Sequence, residues 1–168
     1  ATLREWAMRI RLFEVPINEA LRRARNMPRA AHGMTMAHAG VAVLMLGMIG
    51  STAWKSEEIA FVKPGSAVSI AGFDVTFEGV ERVNGPNYFA DRGTLLVKRG
   101  GAYVTTLYPE RRSYLVAGTT TTESAIRSTP VGDLYASIGE PSLESAGQSG
   151  AWTLRILYEP LVGFIWLG

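Results

Sequence analysis

Residues 30–54 read AAHGMTMAHAGVAVLMLGMIGSTAW, and this run contains no Lys, Arg, Asp or Glu. An uncharged stretch of this length crosses the hydrocarbon core of a bilayer, about 30 Å thick, as a single helix. We therefore predict a transmembrane helix at residues 30–54, regular from about Met34 to Trp54. Gly40, Gly47 and Gly50 are costly in a soluble helix but allow close contact between helices in a membrane.

His38 lies inside this apolar run. An imidazole in a bilayer is costly, and such residues commonly serve an ion path, a proton relay or a metal site. Neutral imidazole is also a common ligand of haem iron. The alternative is a buried histidine that is hydrogen-bonded to a neighbouring helix. His32 lies six positions earlier, about 240° around a helix, so the two histidines are not expected to share one metal, and we predict a structural role for His32.

The charge of the chain is unevenly distributed, although its formal net charge is only +2. The residues before the apolar run carry seven Arg and three Glu. This excess predicts that residues 1–29 lie on the cytoplasmic side. Helices are expected at residues 3–10 and 17–26, as a basic amphipathic segment at the membrane surface or as a solvated linker. The segment lacks the aromatic interleaving typical of nucleic-acid binding, so no nucleic-acid partner is expected.

Two further classes are excluded by composition. The segment before the apolar run is too long and too mixed for the n-region of a signal peptide, so a retained membrane helix is expected. The chain has no cysteine, which excludes disulfides, zinc-finger sites and thiol nucleophiles. Any redox role therefore requires a bound cofactor.

The period of the sequence changes to two after Ser56. Apolar and polar residues alternate at 73–78 and again at 152–156, which predicts half-buried strands, and Val68 and Ile70 predict a shorter one. Residues 95–98 and 103–107 flank Arg99-Gly100-Gly101, a hairpin signal. We predict a small antiparallel β sandwich or barrel at residues 55–157.

Several segments of this region are expected to lack strands. Residues 85–87 are predicted to form a tight turn, 122–126 a short helical turn, and 140–150 a loop. LYPERRSY, residues 107–114, is expected to be a solvated loop; the alternative is a patch in which Arg111 and Arg112 bind haem propionates or a partner. A general acid–base pair of Glu123 and Asp133 is a minor alternative.

The chain closes with LVGFIWLG after Pro160. Eight residues of helix rise only about 12 Å, so we predict that residues 158–168 begin a second membrane helix that is cut off. The alternative is a final buried strand. Two apolar ends around a strand-rich middle indicate a domain outside the cytoplasm, held between two membrane helices.

Several motifs, in this order, resemble the CcmF family of bacterial cytochrome c maturation proteins, which includes the NrfE paralogue. They are GMTMAHAGVAV (33–43), GPNY (85–88), LYPERRSY (107–114), TESAI (122–126), DLYASIGE (133–140) and W-x-L-R-x-x-Y-x-P followed by FIW (152–166). Together they cover roughly residues 33–168. The resemblance implies a C-terminal portion of a far longer, multi-pass protein of the bacterial inner membrane, with its β domain in the periplasm.

What the resemblance implies for function is a subunit of the haem lyase that attaches haem to apocytochrome c. In that family the histidine of the A-H-x-G motif is one of two axial ligands of a membrane-embedded haem b, and that position is His38 here. The implied partners are the haem-bound chaperone, the apocytochrome-binding subunits, apocytochrome c itself and membrane lipid. No catalytic residue is assigned to this segment, and we expect it not to catalyse alone. The alternative is a structural tether without haem, whose β domain docks partner proteins of a membrane complex.

Overall fold

A computed structural model describes residues 2–141 and 150–168 of the chain. Four helices are present in these residues, α1 (Thr2–Ile10), α2 (Ile17–Arg25), α3 (Arg29–Ala53) and α4 (Gly163–Leu167). The strands are β1 (Ser56–Val62), β2 (Ala67–Ile70), β3 (Phe73–Asn84), β4 (Tyr88–Arg99), β5 (Ala102–Leu107), β6 (Glu110–Tyr114), β7 (Thr119–Glu123), β8 (Ala125–Thr129), β9 (Gly132–Pro141) and β10 (Trp152–Pro160).

The long helix α3 confirms the helix expected in the uncharged run. It starts five residues before Met34, directly after Pro28, whose fixed φ of −55° suits the N-terminal position. It ends where the Trp54 N–H donates to the carbonyl of Gly50. By length and composition α3 can cross a membrane, and most of its surface is not covered by the rest of the described chain.

The remaining chain forms a sandwich of two antiparallel sheets, which confirms the predicted fold class. One sheet has the order β1-β10-β9-β8, and the other has the order β2-β3-β4-β6-β7. Strand β4 is long enough to pair twice on one side, with β6 through Tyr88–Arg92 and with β5 through Leu95–Arg99.

The core lies between the two sheets. Phe73, Val75 and Phe77 alternate inward along β3, as the pattern of residues 73–78 predicted. They meet Leu134, Ala136 and Ile138 of β9 and Leu154 and Ile156 of β10 in one buried cluster. This burial is the main source of stability for a domain that has no cysteine and therefore no disulfide.

Both predicted turns are present at the positions that the sequence indicated. Gly100 and Gly101 connect β4 to β5 with φ of 56° and 82°, a conformation that favours glycine. Between β3 and β4, the Gly85 N–H donates to the carbonyl of Tyr88 at 2.9 Å and closes the second turn.

Two local predictions were wrong for one reason. Residues 122–126 form no helical turn, because β7 pairs with β6 and β8 pairs with β9 on either side of Ser124. The second half of LYPERRSY is not a solvated loop but strand β6, which pairs with both β4 and β7. In both places pairing with distant strands decided a conformation that the local sequence left open.

The structure tests the predictions for the loop at residues 140–150 and for the C-terminal segment after Pro160. Strand β9 continues to Pro141, past the Glu140 where the loop was expected to begin, and residues 142–149 of that predicted loop lie outside the described residues. Beyond Pro160 the chain is not a strand. Leu161 adopts φ of 60°, donates its N–H to the carbonyl of Val131 at 2.9 Å, and leads into α4.

Candidate functional site

Helix α3 presents one face of glycines to α4. A Cβ placed on Gly40 would lie 2.7 Å from the carbonyl oxygen of Gly168, and one on Gly47 would lie 2.7 Å from the backbone nitrogen of Ile165. A Cβ on Gly50 would lie 2.7 Å from Cδ1 of Leu161. Because the contacts run in opposite order along the two segments, α4 is antiparallel to α3. The expectation that these glycines allow close helix contact is confirmed.

His38 lies on the opposite face. It precedes Gly40 by two positions, which places it about 160° from the glycine face. Its side chain is exposed in this chain, and the residues two and three turns further on, Met45 and Ile49, are 57% and 64% exposed. The histidine therefore faces away from α4, onto a surface that the described residues leave uncovered.

The hydrogen bond of His38 determines which ring nitrogen is available. Nδ1 lies 2.8 Å from the carbonyl oxygen of Met34 in the preceding turn. A carbonyl only accepts, so Nδ1 carries the proton and Nε2 keeps its lone pair. A histidine that binds a metal through one ring nitrogen commonly donates the N–H of the other nitrogen to a backbone carbonyl. This hydrogen bond fixes the tautomer and the orientation of the ring. The residues present therefore fit a haem iron bound at Nε2.

The surroundings of His38 offer space for a flat ring. Ala37 and Ala42 are small and exposed, so a flat ring can approach the helix. Within residues 2–141 and 150–168, no group of three or more His, Cys, Asp or Glu is arranged to hold a metal. The other histidine of the chain, His32, uses both ring nitrogens in hydrogen bonds, so a second histidine ligand would come from outside this chain.

Four methionines of α3 share the exposure of His38. Met34, Met36, Met45 and Met48 are all about half exposed or more. Methionine side chains commonly fill irregular gaps between packed helices, and these four leave such a surface available on α3.

His32 is structural, as predicted, but it is not a solvated side chain. Its Nε2 lies 2.8 Å from the carbonyl oxygen of Ala24 at the end of α2. Its Nδ1 accepts the indole N–H of Trp6 from α1 at 3.3 Å, and the two rings meet edge to face. Both nitrogens are therefore used, and His32 ties α1 and α2 to the first turns of α3.

A second polar cluster lies in the β domain around the Glu110 carboxylate, whose side chain is only 10% exposed. Arg92 of β4 donates to Oε1 at 2.7 Å, and Arg112 donates to Oε2 at 2.8 Å. The Arg112 guanidinium also lies 4.8 Å from the centre of the Tyr88 ring. Burial alone would raise the pKa of Glu110, but the hydrogen bonds from Arg112 and Arg92 outweigh it and hold the pKa below its usual value.

This cluster does not support the alternative of a propionate or partner patch at residues 107–114. Arg112 is committed to Glu110, and Arg111 donates to Glu140 at 2.8 Å. Glu123 and Asp133 likewise accept hydrogen bonds within their own hairpins, from Thr121 and from Ser128, and show no shared acid–base geometry.

The sequence analysis did not predict the cluster of Arg92, Glu110 and Arg112, which we call the Glu110 clamp. A signal for it was present in the sequence. Glu110, Arg112 and Tyr114 alternate with Arg111 and Ser113, which is the period of a strand with one face of paired charges and an aromatic ring. Recognising that alternation would have predicted β6.

Comparisons with known proteins agree on one family. The model described as the CcmF C-terminal beta-sandwich matches residues 53–160. The cytochrome c-type biogenesis protein CycK of Bradyrhizobium diazoefficiens is 38% identical over 157 residues, 94% of this chain and 23% of that protein. CcmF of Escherichia coli is 39% identical over 136 residues, 81% of this chain and 20% of that protein.

The fold has a counterpart among solved structures. A structure titled cytochrome c heme lyase CcmF aligns with a TM-score of 0.68 at 17% identity, and the alignment covers 99% of this chain and 31% of that one. At that identity the match shows the fold alone. The chain spans roughly a quarter or less of the length of the curated relatives named above.

Proposed function

The chain belongs to the CcmF family, and from that membership we propose that it is part of a membrane haem-lyase subunit that helps attach haem to apocytochrome c. Relatives that carry the name of cytochrome c-type biogenesis proteins support a role in cytochrome c maturation. Because the chain covers only part of those relatives, the activity belongs to the larger assembly, to which this segment contributes His38 and the β sandwich.

The observation that carries the proposal is the geometry of His38. Nδ1–H is held by the carbonyl of Met34, which leaves Nε2 free, and the exposed side chain lies on the face that α4 does not cover. In this proposal His38 supplies one axial ligand to a haem b. The haem would supply an electron at the site of maturation. The chain would hold the imidazole at a fixed height in α3 and leave the alanines beside it clear for the porphyrin plane.

The distribution of charge also supports a proposed orientation in the membrane. We place α3 across the bacterial inner membrane, with residues 1–29 on the cytoplasmic side and the β sandwich in the periplasm. The sandwich then stands where apocytochrome c, the haem-bound chaperone and apocytochrome-binding subunits are expected, and docking to these partners is its proposed contribution.

The ligand assignment is tested in the full-length protein. His38→Ala is expected to lower the haem content per protein, to change the optical spectrum and to block cytochrome c maturation, and His38→Gly with added imidazole is expected to recover part of the haem. His32→Ala is the control, because it removes the other histidine of the same helix and leaves Nε2 of His38 untouched. Unchanged haem spectrum and stoichiometry in His38→Ala would refute the assignment and favour the structural tether.

The orientation is tested with a single introduced thiol. The chain has no cysteine, so Val116→Cys, at a side chain that is 97% exposed in the β6–β7 turn, gives one reporter. A membrane-impermeant maleimide is expected to label it in intact spheroplasts. Labelling only after lysis would show that the proposed orientation is inverted.

A further inference from the structure

The seven arginines of residues 1–29 divide into two groups. Three of the seven have carboxylate partners, and these pairs use all three glutamates of the segment. The pairs are Arg9–Glu5 at 2.7 Å, Arg11–Glu14 at 3.7 Å and Arg23–Glu19 at 2.6 Å. The positive charge of the other arginines is therefore not neutralised by this segment.

Arg22, Arg25 and Arg29 form the group on which the inference rests. All three side chains are exposed, and none has a carboxylate within ion-pair distance among the described residues. Arg22 and Arg25 are three positions apart on α2, so they lie on one side of that helix. Arg29 is the first residue of α3.

The fold fixes the position of this group relative to the long helix. His32, one turn into α3, is hydrogen-bonded to the carbonyl of Ala24, which lies between Arg22 and Arg25 in the last turn of α2. The end of α2 is thus held beside the start of α3. If α3 spans a bilayer, the three guanidinium groups lie at the level of the headgroups.

An apolar surface adjoins these arginines. Ile17 and Leu21, four positions apart on α2, are 73% and 65% exposed. On a helical wheel Arg25 and Arg22 follow them on one flank, at about 80° and 140° from Ile17. Exposed aliphatic residues beside unpaired guanidinium groups are typical of a helix in the interfacial region of a membrane, and they are unsuited to a fully aqueous polyanion.

We propose that Arg22, Arg25 and Arg29 bind the phosphate of an anionic phospholipid, while Ile17 and Leu21 contact its acyl chains. Guanidinium groups bind phosphate oxygens in pairs of parallel hydrogen bonds, which favours a retained lipid over a diffuse ionic layer. The inference rests on the proposed function only in requiring that α3 spans the membrane, and it is independent of haem binding.

The test uses the full-length protein in nanodiscs of phosphatidylcholine with graded amounts of phosphatidylglycerol, and it counts retained lipid by native mass spectrometry. The variant Arg22→Gln/Arg25→Gln/Arg29→Gln is compared with Arg9→Gln/Arg11→Gln/Arg23→Gln, which loses the same charge from arginines that already have partners. A basic residue near an anionic surface is worth about a fivefold change in affinity. We expect the first variant to lower the phosphatidylglycerol preference at least about fivefold and the second to keep most of it.

The preference is also expected to weaken as salt is raised, because exposed charges are screened. An equal preference in the wild type and the first variant would refute the lipid site, and so would an equal loss in both variants, which would show that only net charge matters. Haem content is recorded on the same samples. A wild-type protein that contains no haem but prefers phosphatidylglycerol would contradict the haem proposal alone. A wild-type protein that contains haem but shows no preference for phosphatidylglycerol would contradict the lipid site alone.

Discussion

Apolar side chains are buried in the β sandwich but largely exposed on helix α3. In the sandwich Phe77, Leu95 and Ile138 are completely buried between the two sheets. In α3 Val41, Met45 and Ile49 are more than half exposed, and the buried positions are Gly47, Gly50 and Ser51. The sandwich therefore completes its own core, whereas α3 packs its glycine face on residues 161–168 and its first turns on α1 and α2, and leaves much of its remaining surface uncovered by the described residues.

This difference separates stability from function within one chain. Residues that stabilise the fold are buried against other residues of the same chain. Their substitution should therefore lower the free energy of unfolding even when the chain is isolated from the rest of the protein. The candidate ligand His38 lies on the incomplete surface, where its effect depends on what covers that surface in the whole protein. Substitutions at matched positions test each side of the comparison.

The largest effect is expected in the sandwich core. Phe77→Ala removes a fully buried ring and is expected to lower the free energy of unfolding by about 3–5 kcal/mol. Denaturant titration of the 168-residue chain in detergent, followed by near-UV circular dichroism, measures it. The control Met45→Ala removes an exposed side chain of α3 and should change the stability of the chain little; a comparable loss there would show that α3 is buried after all.

A smaller effect is expected where α3 meets α4. A side chain at Gly47 collides with the backbone of Phe164 and Ile165, so Gly47→Leu should displace α4. Overpacking of this kind costs about 1–3 kcal/mol, which corresponds to hydrogen exchange roughly 5- to 150-fold faster at the amides of Ile165 and Gly168. Ala42→Leu, on the exposed face, is the matched control. Equal exchange in both variants would contradict the one-sided packing.

The smallest effect is expected at the clamp that joins β4 to β6. Glu110→Gln removes the charge that Arg92 and Arg112 share and is expected to cost about 1–2 kcal/mol, reduced by the partial exposure of both arginines. Thermal unfolding of the two proteins in parallel measures the difference. A variant as stable as the wild type at neutral pH would show that the clamp orients the strands without stabilising them.

The same clamp gives a pH dependence with a defined sign. Because the pKa of Glu110 in the fold lies below the 4.5 of the free side chain, the folded state binds this proton less readily than the unfolded state. Its stabilisation is present above pH 4.5 and is lost as the pH falls through the folded pKa. The stability difference between the wild type and Glu110→Gln should therefore narrow in acid. A difference that widens on acidification would contradict the lowered pKa.

Local patterns predicted much of the fold because they carry their own physical cause. The alternation at 73–78 predicted β3, the glycines at 100 and 101 predicted the hairpin, and the uncharged run predicted α3. Ser124 shows where such patterns fail. Its neighbours could form a turn or extend, and pairing of β7 with β6 and of β8 with β9 decided the outcome.

The candidate site divides in the same way. The sequence placed His38 in an apolar helix, because the absence of charge over residues 30–54 is a local property. It could not show which nitrogen is free or which face is open.

By itself, then, the sequence determined an apolar helix that carries a histidine, a basic segment before it and a β domain after it. The tertiary structure decided the rest. The return of the chain at Leu161 brings residues 161–168 against Gly40, Gly47 and Gly50, and His38 lies on the opposite face of α3. The pairing of β4 with β6 brings Arg92 to Glu110, 18 residues away along the chain. Both outcomes depend on contacts between distant segments, whose energies no local window of sequence contains.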